Sequence, residues 1–216
     1  MQEVRFTTDD GVSLEGELRL DVADPRGSAV LCHPHPRHGG SKDHPILWAI
    51  RNELAHRGFA VLGFNFRGIL GSGGTYGGGH AELRDVRAAI ARVREAAPNR
   101  PTVSCGWSFG ANVALREALE DDRVSALALT GIPLRPGDVQ LPPLPSPSEV
   151  RIRRRPTLFL AGADDEFCPA QELRDYAEAC GAAVAVIEGT NHYLWRRERE
   201  AAALIGDFFD RSVSRA

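Results

Sequence analysis

The segment CGWSFG, residues 105–110, places a serine between two glycines in the pattern G-x-S-x-G. An apolar run, PTVSC, leads into it, and a helical pattern, ANVALREALEDD, follows it. A reversal from strand to helix within so few residues strains the backbone of the serine and exposes its hydroxyl. Side chains at Gly106 and Gly110 would clash with the neighbouring strand and helix. The pattern predicts that Ser108 is a nucleophile, and an ordinary serine helix cap is the alternative.

A serine hydroxyl needs a base that takes its proton, and the base needs an acid that orients it. His192, in EGTNHYL, is the only histidine after Ser108, and it follows the last predicted strand. The acid is expected between them, in AGADDEFCP after the penultimate strand. Adjacent carboxylates point in different directions; we expect Asp165 to be the acid, with Asp164 and Glu166 as alternatives.

Four more histidines lie within AVLCHPHPRHGGSKDH, residues 29–44, namely His33, His35, His38 and His44. The spacing H-x-H-x-x-H could present two or three imidazoles to zinc. The alternating prolines restrict that geometry, however, and no cysteine or carboxylate cluster lies at ligand spacing. We therefore expect neither a metal nor a cofactor, and a zinc site is the alternative. The glycine-rich GGTYGGGH lacks the G-K-[ST] ending of a phosphate loop, and we expect a flexible loop there.

The elements that position these residues follow an alternating order. Two strands joined at Asp-Gly form an N-terminal hairpin, and after it strands alternate with helices, including helices at 81–97, 169–180 and 196–213. The later strands are continuously apolar, as expected for burial on both faces of a parallel sheet. We predict an α/β domain over 1–216 with a mostly parallel eight-stranded sheet and helices on both faces. The proline-rich stretch from Leu134 to Arg155 is predicted to be a long surface loop.

Composition narrows the possible functions. The net charge of −3 gives no overall attraction to nucleic acid, and no apolar run is long enough to span a membrane. The four cysteines show no C-x-x-C spacing, and the N-terminus has no secretory signal, so we expect a cytoplasmic protein with reduced thiols. The run from Arg151 to Arg155 is expected to be a solvated edge, with binding of an acidic substrate as the alternative. The oligomeric state stays open.

At this point the chain resembles the α/β-hydrolase superfamily over nearly its whole length. The motifs that carry the resemblance are HPHPRHGGSKDH, FNFRGILGSGG, GWSFG, GADDEFCP and GTNHY. They are most similar to a group of small, lidless hydrolases related to dienelactone hydrolases. The resemblance implies the α/β-hydrolase fold with no large cap domain, and Ser108, Asp165 and His192 as nucleophile, acid and base. It supports Asp165 because the acid of such proteins lies four residues before a proline, here Pro169.

In that fold, two backbone amides form the oxyanion hole. One belongs to Phe109, after the nucleophile, and the other to the loop HPHPRHGG. Pro34 and Pro36 have no N–H, so we expect the His35 amide, or else that of Arg37, to be the second donor. His33 is expected to pack or hydrogen-bond beneath this loop.

The predicted activity is hydrolysis of a small-molecule ester or related acyl substrate through an acyl-serine. With only the proline-rich stretch in the place of a lid, we expect a rather open site that suits a small acyl group. A thioesterase or peptidase would use the same residues, and a catalytically silent binding protein would keep the same fold.

Overall fold

Eight strands form one sheet with the spatial order β1-β2-β4-β3-β5-β6-β7-β8. The structure is a computed structural model, and it describes residues 1–135, 137 and 140–213. The strands are β1 Gln2–Thr7, β2 Ser13–Arg19, β3 Gly27–Cys32, β4 Phe59–Phe64, β5 Thr102–Trp107, β6 Val124–Thr130, β7 Thr157–Gly162 and β8 Ala183–Ile187. Strands β1 and β2 pair antiparallel, as do β2 and β4, and all the other pairs are parallel. The predicted N-terminal hairpin and mostly parallel sheet are confirmed.

Helices cover both faces of the sheet. They are α1 Pro45–His56, α2 Glu82–Arg94, α3 Phe109–Glu120, α4 Pro147–Ile152, α5 Ala170–Cys180 and α6 Glu198–Val213. One apolar core lies between the sheet and α1 and α6, and the other lies between the sheet and α2, α3 and α5. In β4, Val61 belongs to the first core, whereas Leu62 belongs to the second. Because successive residues of a strand face opposite sides, burial on both faces requires the continuous apolar runs seen in the sequence.

The proline-rich stretch is not wholly a loop, so that part of the prediction was wrong. It contains α4, which begins with a capping box: the Ser146 hydroxyl accepts from the Glu149 amide, and the Glu149 carboxylate accepts from the Ser146 amide. The pattern S-x-x-E in SPSEV encodes this start but is too short to show a helical period. Residues 136, 138 and 139 of the stretch lie outside the described residues.

Two described parts of this stretch, residues 134–135 and 140–146, form what we call the proline-rich wall. Leu134, Leu141 and Leu144 are partly buried and pack against the core on the α3 side of the sheet. The Asn112 side-chain amide donates to the Pro142 carbonyl at 3.0 Å. Because its leucines are packed and its backbone is bonded to α3, the wall is a fixed part of the fold.

The arginine run ends the stretch: Arg151 lies on α4, and Arg153 to Arg155 follow that helix. Arg151, Arg153 and Arg154 are exposed, as predicted for a solvated edge. Arg155 is partly buried, and its guanidinium donates to the Asp121 carbonyl at 2.9 Å and to that of Ala118. Cations at the C-terminal end of a helix satisfy its free carbonyls and its dipole. Arg155 therefore stabilises the end of α3.

The four cysteines are buried and free. No helix within the described residues is long and apolar enough to cross a membrane. The prediction of one domain over the whole of 1–216 includes residues outside the described part and stays a prediction.

Candidate active site

Ser108 occupies the turn between β5 and α3, with φ 55° and ψ −118°. A positive φ is strained for any residue other than glycine, at a cost of about 1–3 kcal/mol. The turn is held by the Ser108 amide, which donates to the Thr130 carbonyl at 2.8 Å. A Cβ on Gly106 would lie 2.4 Å from the Gly110 oxygen, and one on Gly110 would lie 2.2 Å from the Cys32 oxygen. The predicted requirement for glycine at both positions is confirmed.

His192 and Asp165 form a buried hydrogen-bonded pair. His192 Nδ1 lies 2.8 Å from Asp165 Oδ2. The other carboxylate oxygen, Oδ1, accepts from the amides of Phe167 at 3.0 Å and Cys168 at 2.9 Å. Two amides and an imidazole nitrogen therefore converge on one carboxylate, which fixes its orientation. The fixed carboxylate in turn orients the imidazole.

The two adjacent acids are clearly separated in the structure. Asp164 and Glu166 have exposed side chains, whereas Asp165 is buried against His192. The backbone causes this difference: the Asp164 amide donates to the Thr190 carbonyl at 3.0 Å, which ties the turn to the segment that carries His192. The structure brings the predicted acid to the predicted base and leaves both alternatives at the surface.

Gly131 makes room for this pair, and the sequence analysis missed it. It directly follows β6 and has φ 54°. A Cβ there would lie 3.0 Å from His192 Cε1 and 3.3 Å from Asp165 Oδ2. A glycine directly after a predicted strand is the only sequence signal for this role.

Ser108 and His192 line one pocket of about 690 Å³. The pocket is also lined by His35 and Phe109, whose amides are the predicted oxyanion donors. Among the described residues, the His192 side chain hydrogen-bonds Asp165 and not Ser108. Catalytic hydrogen bonds often tighten only when a substrate binds. The three predicted residues thus meet at one end of the sheet, as the strand order requires.

A buried histidine holds the loop of the predicted oxyanion hole. The Phe66 amide donates to His33 Nε2 at 3.0 Å, and His33 Nδ1 lies 2.7 Å from the Pro34 carbonyl oxygen. Since an amide can only donate, Nε2 is the acceptor and Nδ1 carries the proton. His33 therefore fixes the Pro34–His35 peptide by its carbonyl, and in a trans peptide the His35 N–H points the opposite way. The prediction that His33 hydrogen-bonds beneath this loop is confirmed.

The rest of the loop winds around His35. The amides of His38 and Gly40 donate to the His35 carbonyl at 3.0 and 3.1 Å. The Arg37 amide, the alternative oxyanion donor, donates to His35 Nδ1 at 3.1 Å. An amide engaged inside the loop is poorly placed to bind an oxyanion, which favours His35 over Arg37. On the other side of the ring, His35 Nε2 lies 3.0 Å from the Tyr76 hydroxyl.

Tyr76 belongs to the glycine-rich GGTYGGGH, for which the sequence predicted only flexibility. Its ring lies 5.3 Å from that of His35 and 5.9 Å from that of Phe109. The segment is anchored by Glu82, whose carboxylate accepts from the amides of Gly77 at 2.6 Å and Gly79 at 2.8 Å. The prediction of a flexible loop was wrong here, because a buried carboxylate orders it. Tyr76 contacts both residues of the predicted hole.

Two of the four histidines in residues 29–44, His33 and His44, are engaged in structural contacts. Both nitrogens of His33 are hydrogen-bonded, and His44 packs on Trp107 with 4.1 Å between ring centroids. Within residues 1–135, 137 and 140–213, no group of three or more His, Cys, Asp or Glu side chains is arranged to hold a metal ion.

Known proteins share this architecture. Residues 28–208 match a protein family described as an alpha/beta hydrolase domain. An uncharacterized protein of Rickettsia prowazekii is 24% identical over an alignment of 220 residues. The alignment covers 96% of this chain and 88% of that protein.

Two solved structures are similar over nearly their full length. An alpha/beta serine hydrolase without a lid from Xanthomonas campestris is 26% identical with a TM-score of 0.81, covering 98% of this chain and 94% of its own. Esterase Pf2001 of Pyrococcus furiosus is 19% identical with a TM-score of 0.81, covering 98% and 92%. The Pyrococcus esterase has the same fold as this chain. Together they confirm the predicted α/β-hydrolase fold without a large cap domain.

The neutral state of His33 gives a prediction for stability. Burial lowers the pKa of His33 from 6.5 to about 4. Between these values the unfolded chain binds a proton that the folded chain does not, so this contribution to stability is lost as the pH falls. Lowering the pH from about 7 to about 4.5 should reduce the free energy of unfolding by about 2–3 kcal/mol through this residue alone.

Urea unfolding of the wild type and of His33→Gln at both pH values measures this contribution. The wild type's free energy of unfolding should exceed that of His33→Gln by less at the lower pH, and the decrease should equal that amount. An advantage that is the same at both pH values would contradict a neutral buried His33.

Proposed function

Because the chain belongs to the alpha/beta hydrolase domain family, we propose that it hydrolyses esters through an acyl-serine intermediate on Ser108. One observation carries the proposal: a buried His192–Asp165 pair, joined at 2.8 Å, faces the pocket that Ser108 lines. A base oriented by a carboxylate, beside a serine in a strained turn, is the arrangement that nucleophilic acyl transfer needs. The similarity to proteins described as a serine hydrolase and an esterase is consistent with this reaction.

The reaction begins with proton transfer from Ser108 to His192. As Ser108 Oγ bonds to the ester carbonyl carbon, His192 Nε2 takes the hydroxyl proton, and Asp165 stabilises the resulting imidazolium. The bond from that carbon to the alcohol oxygen then breaks, and His192 gives its proton to the departing oxygen. Water adds to the acyl-serine while His192 takes a proton from it. The bond from the carbonyl carbon to Ser108 Oγ then breaks, His192 gives that proton to Oγ, and the carboxylic acid leaves.

The negative oxygen of the tetrahedral intermediate is bound by the amides of Phe109 and His35. The Phe109 amide is at the N-terminus of α3, where the helix dipole favours negative charge. The His35 amide belongs to the peptide that His33 holds by its carbonyl. Donors fixed before the reaction need no reorganisation when the charge develops, which is why such holes accelerate acyl transfer. The partner in this proposal is a small-molecule acyl substrate, with neither nucleic acid nor a membrane involved.

Replacing the nucleophile tests the proposal directly. Ser108→Ala should lower kcat for p-nitrophenyl esters by about three orders of magnitude or more, because no acyl-enzyme can form. A fluorophosphonate probe should label the wild type at residue 108 and should not label the variant. Equal ester hydrolysis by both proteins would refute Ser108 as the nucleophile, and a wild type that neither labels nor hydrolyses would indicate a silent binding protein. Acyl-thioesters and peptides in the same panel distinguish the related activities.

The adjacent acids provide a matched pair of variants. Asp165→Asn should lower kcat by about four orders of magnitude, because an amide can donate to His192 Nδ1 and impose the wrong tautomer. Asp164→Asn makes the same chemical change one residue away, on an exposed side chain, and should leave kcat within about twofold. Steady-state kinetics of both variants with one ester decides the assignment, and a larger loss in the Asp164 variant would reverse it.

A further inference from the structure

The pocket extends well beyond the residues needed for bond cleavage. On one side it is lined by apolar residues of the proline-rich wall, Leu134, Leu141, Pro142 and Leu144, and by Phe167. This side is fixed at several points: the Leu134 amide donates to the Phe167 carbonyl at 2.9 Å, and the Tyr176 hydroxyl donates to the Pro145 carbonyl at 2.7 Å. The only charged wall residue among those described, Arg135, pairs with Glu172. This side therefore suits an uncharged apolar chain.

The opposite side of His192 is different. Three aromatic rings lead from the pocket to the surface, with centroids 6.2 Å apart for Trp107 and Tyr193 and 6.0 Å apart for Tyr193 and Trp195. Tyr193 is 45% exposed and Trp195 is 61% exposed. The residues on either side of Trp195, Leu194 and Arg196, have φ of 50° and 63°.

Positive φ at two non-glycine residues that are separated by a single residue is costly and persists only where the surroundings impose it. Here Leu194 is buried in the core beneath the rings, and the turn holds Trp195 outward. We call the exposed rings of Tyr193 and Trp195 the aromatic edge.

Reaction geometry assigns one part of the ester to each side. The carbonyl oxygen must point to the amides of Phe109 and His35, and the alcohol oxygen must point to His192, which returns the proton to it. The alcohol group therefore continues past His192 toward the aromatic edge, and the acyl chain extends the other way, along the wall.

We propose that the site has two subsites: an enclosed one along the proline-rich wall for an apolar acyl chain of medium length, and an open one on the aromatic edge for a flat aromatic alcohol group. This inference rests on the proposed ester hydrolysis and names its substrate class. It differs from the sequence-based expectation of a small acyl group in a rather open site, because the wall gives the pocket an apolar side.

Two ester series test the arrangement in the full-length protein. With p-nitrophenol as the alcohol, kcat/KM should rise from acetate to octanoate by at least about thirtyfold, since each methylene removed from water gives up to about fourfold. With octanoate as the acid, 2-naphthyl should be preferred to phenyl, an alcohol group of nearly the same leaving ability, whereas ethyl to hexyl alcohols should differ little. The assignment is overturned if kcat/KM is the same across the acyl series, or if kcat/KM rises only with the length of an alkyl alcohol.

Variants test each subsite separately. Leu144→Gln should lower kcat/KM for octanoate about tenfold and leave acetate nearly unchanged, because only the long chain reaches the wall. Ile152→Gln is the control, since Ile152 lies on α4 just beyond the wall and is 80% exposed. Leu134→Phe adds volume instead of polarity, so it should move the acyl-chain length with the highest kcat/KM to shorter chains. It replaces Leu144→Gln as the test if that variant does not fold. Unchanged chain-length profiles in both wall variants overturn the acyl subsite.

For the aromatic edge, Trp195→Ala should raise KM for the 2-naphthyl ester about five- to tenfold, the value of one aromatic contact, and leave the ethyl ester unchanged. Trp48→Ala is the control, because Trp48 is another exposed tryptophan, on α1 and not lining the pocket. Equal effects of the two variants overturn the aromatic subsite.

If the wild type is labelled by fluorophosphonate and cleaves acetate esters but shows none of these preferences, the two subsites are refuted and ester hydrolysis stands. If it neither labels nor cleaves any ester, ester hydrolysis itself fails.

Discussion

The backbone of Ser108 is the constraint on which the rest of the site depends. Its positive φ lets β5 turn directly into α3, so one residue ends the central strand and begins the helix. That turn is possible only because Gly106 and Gly110 let β3, the turn and α3 approach within van der Waals distance. The strain is balanced by the packed sheet and helix around it, as expected for a conformation that local sequence alone would not favour. The Ser108 hydroxyl and the Phe109 amide are thereby placed by the same turn.

The second half of the site is positioned by neutral hydrogen bonds and not by charge. His33 is buried as an uncharged imidazole, with its two nitrogens in opposite roles, donor to Pro34 and acceptor from Phe66. A charged group there would need a counterion in the core, whereas a neutral ring satisfies two backbone groups without one. The Asp165 carboxylate is hydrogen-bonded by two amides and by His192. The positions of the reactive groups are thus set mainly by backbone bonds.

The residues that the sequence predicted well are those whose signal is local. The motif around Ser108, the loop after β7 and the last histidine each follow a strand, so a parallel sheet brings them to one end. Gly131 and Tyr76 were missed because their roles depend on segments that meet only after the sheet is assembled. The wall was misjudged for a different reason: prolines remove helical periodicity, while packing of scattered leucines against the core gives no regular pattern. The catalytic roles themselves stay predictions until they are measured.

Helix α3 contacts three parts of the molecule: the Ser108 turn, the proline-rich wall and Arg155. Its first turn follows the nucleophile, Asn112 in its second turn holds the wall by Pro142, and its last carbonyls accept from Arg155. The described wall residues are held by the Asn112 side chain and by leucines that pack against the core beside this helix. Molecules entering the pocket on this side therefore meet apolar side chains that the core supports. Evolution or protein engineering can then change which molecules the pocket accepts by substituting one wall residue at a time, without an insertion or deletion in the chain.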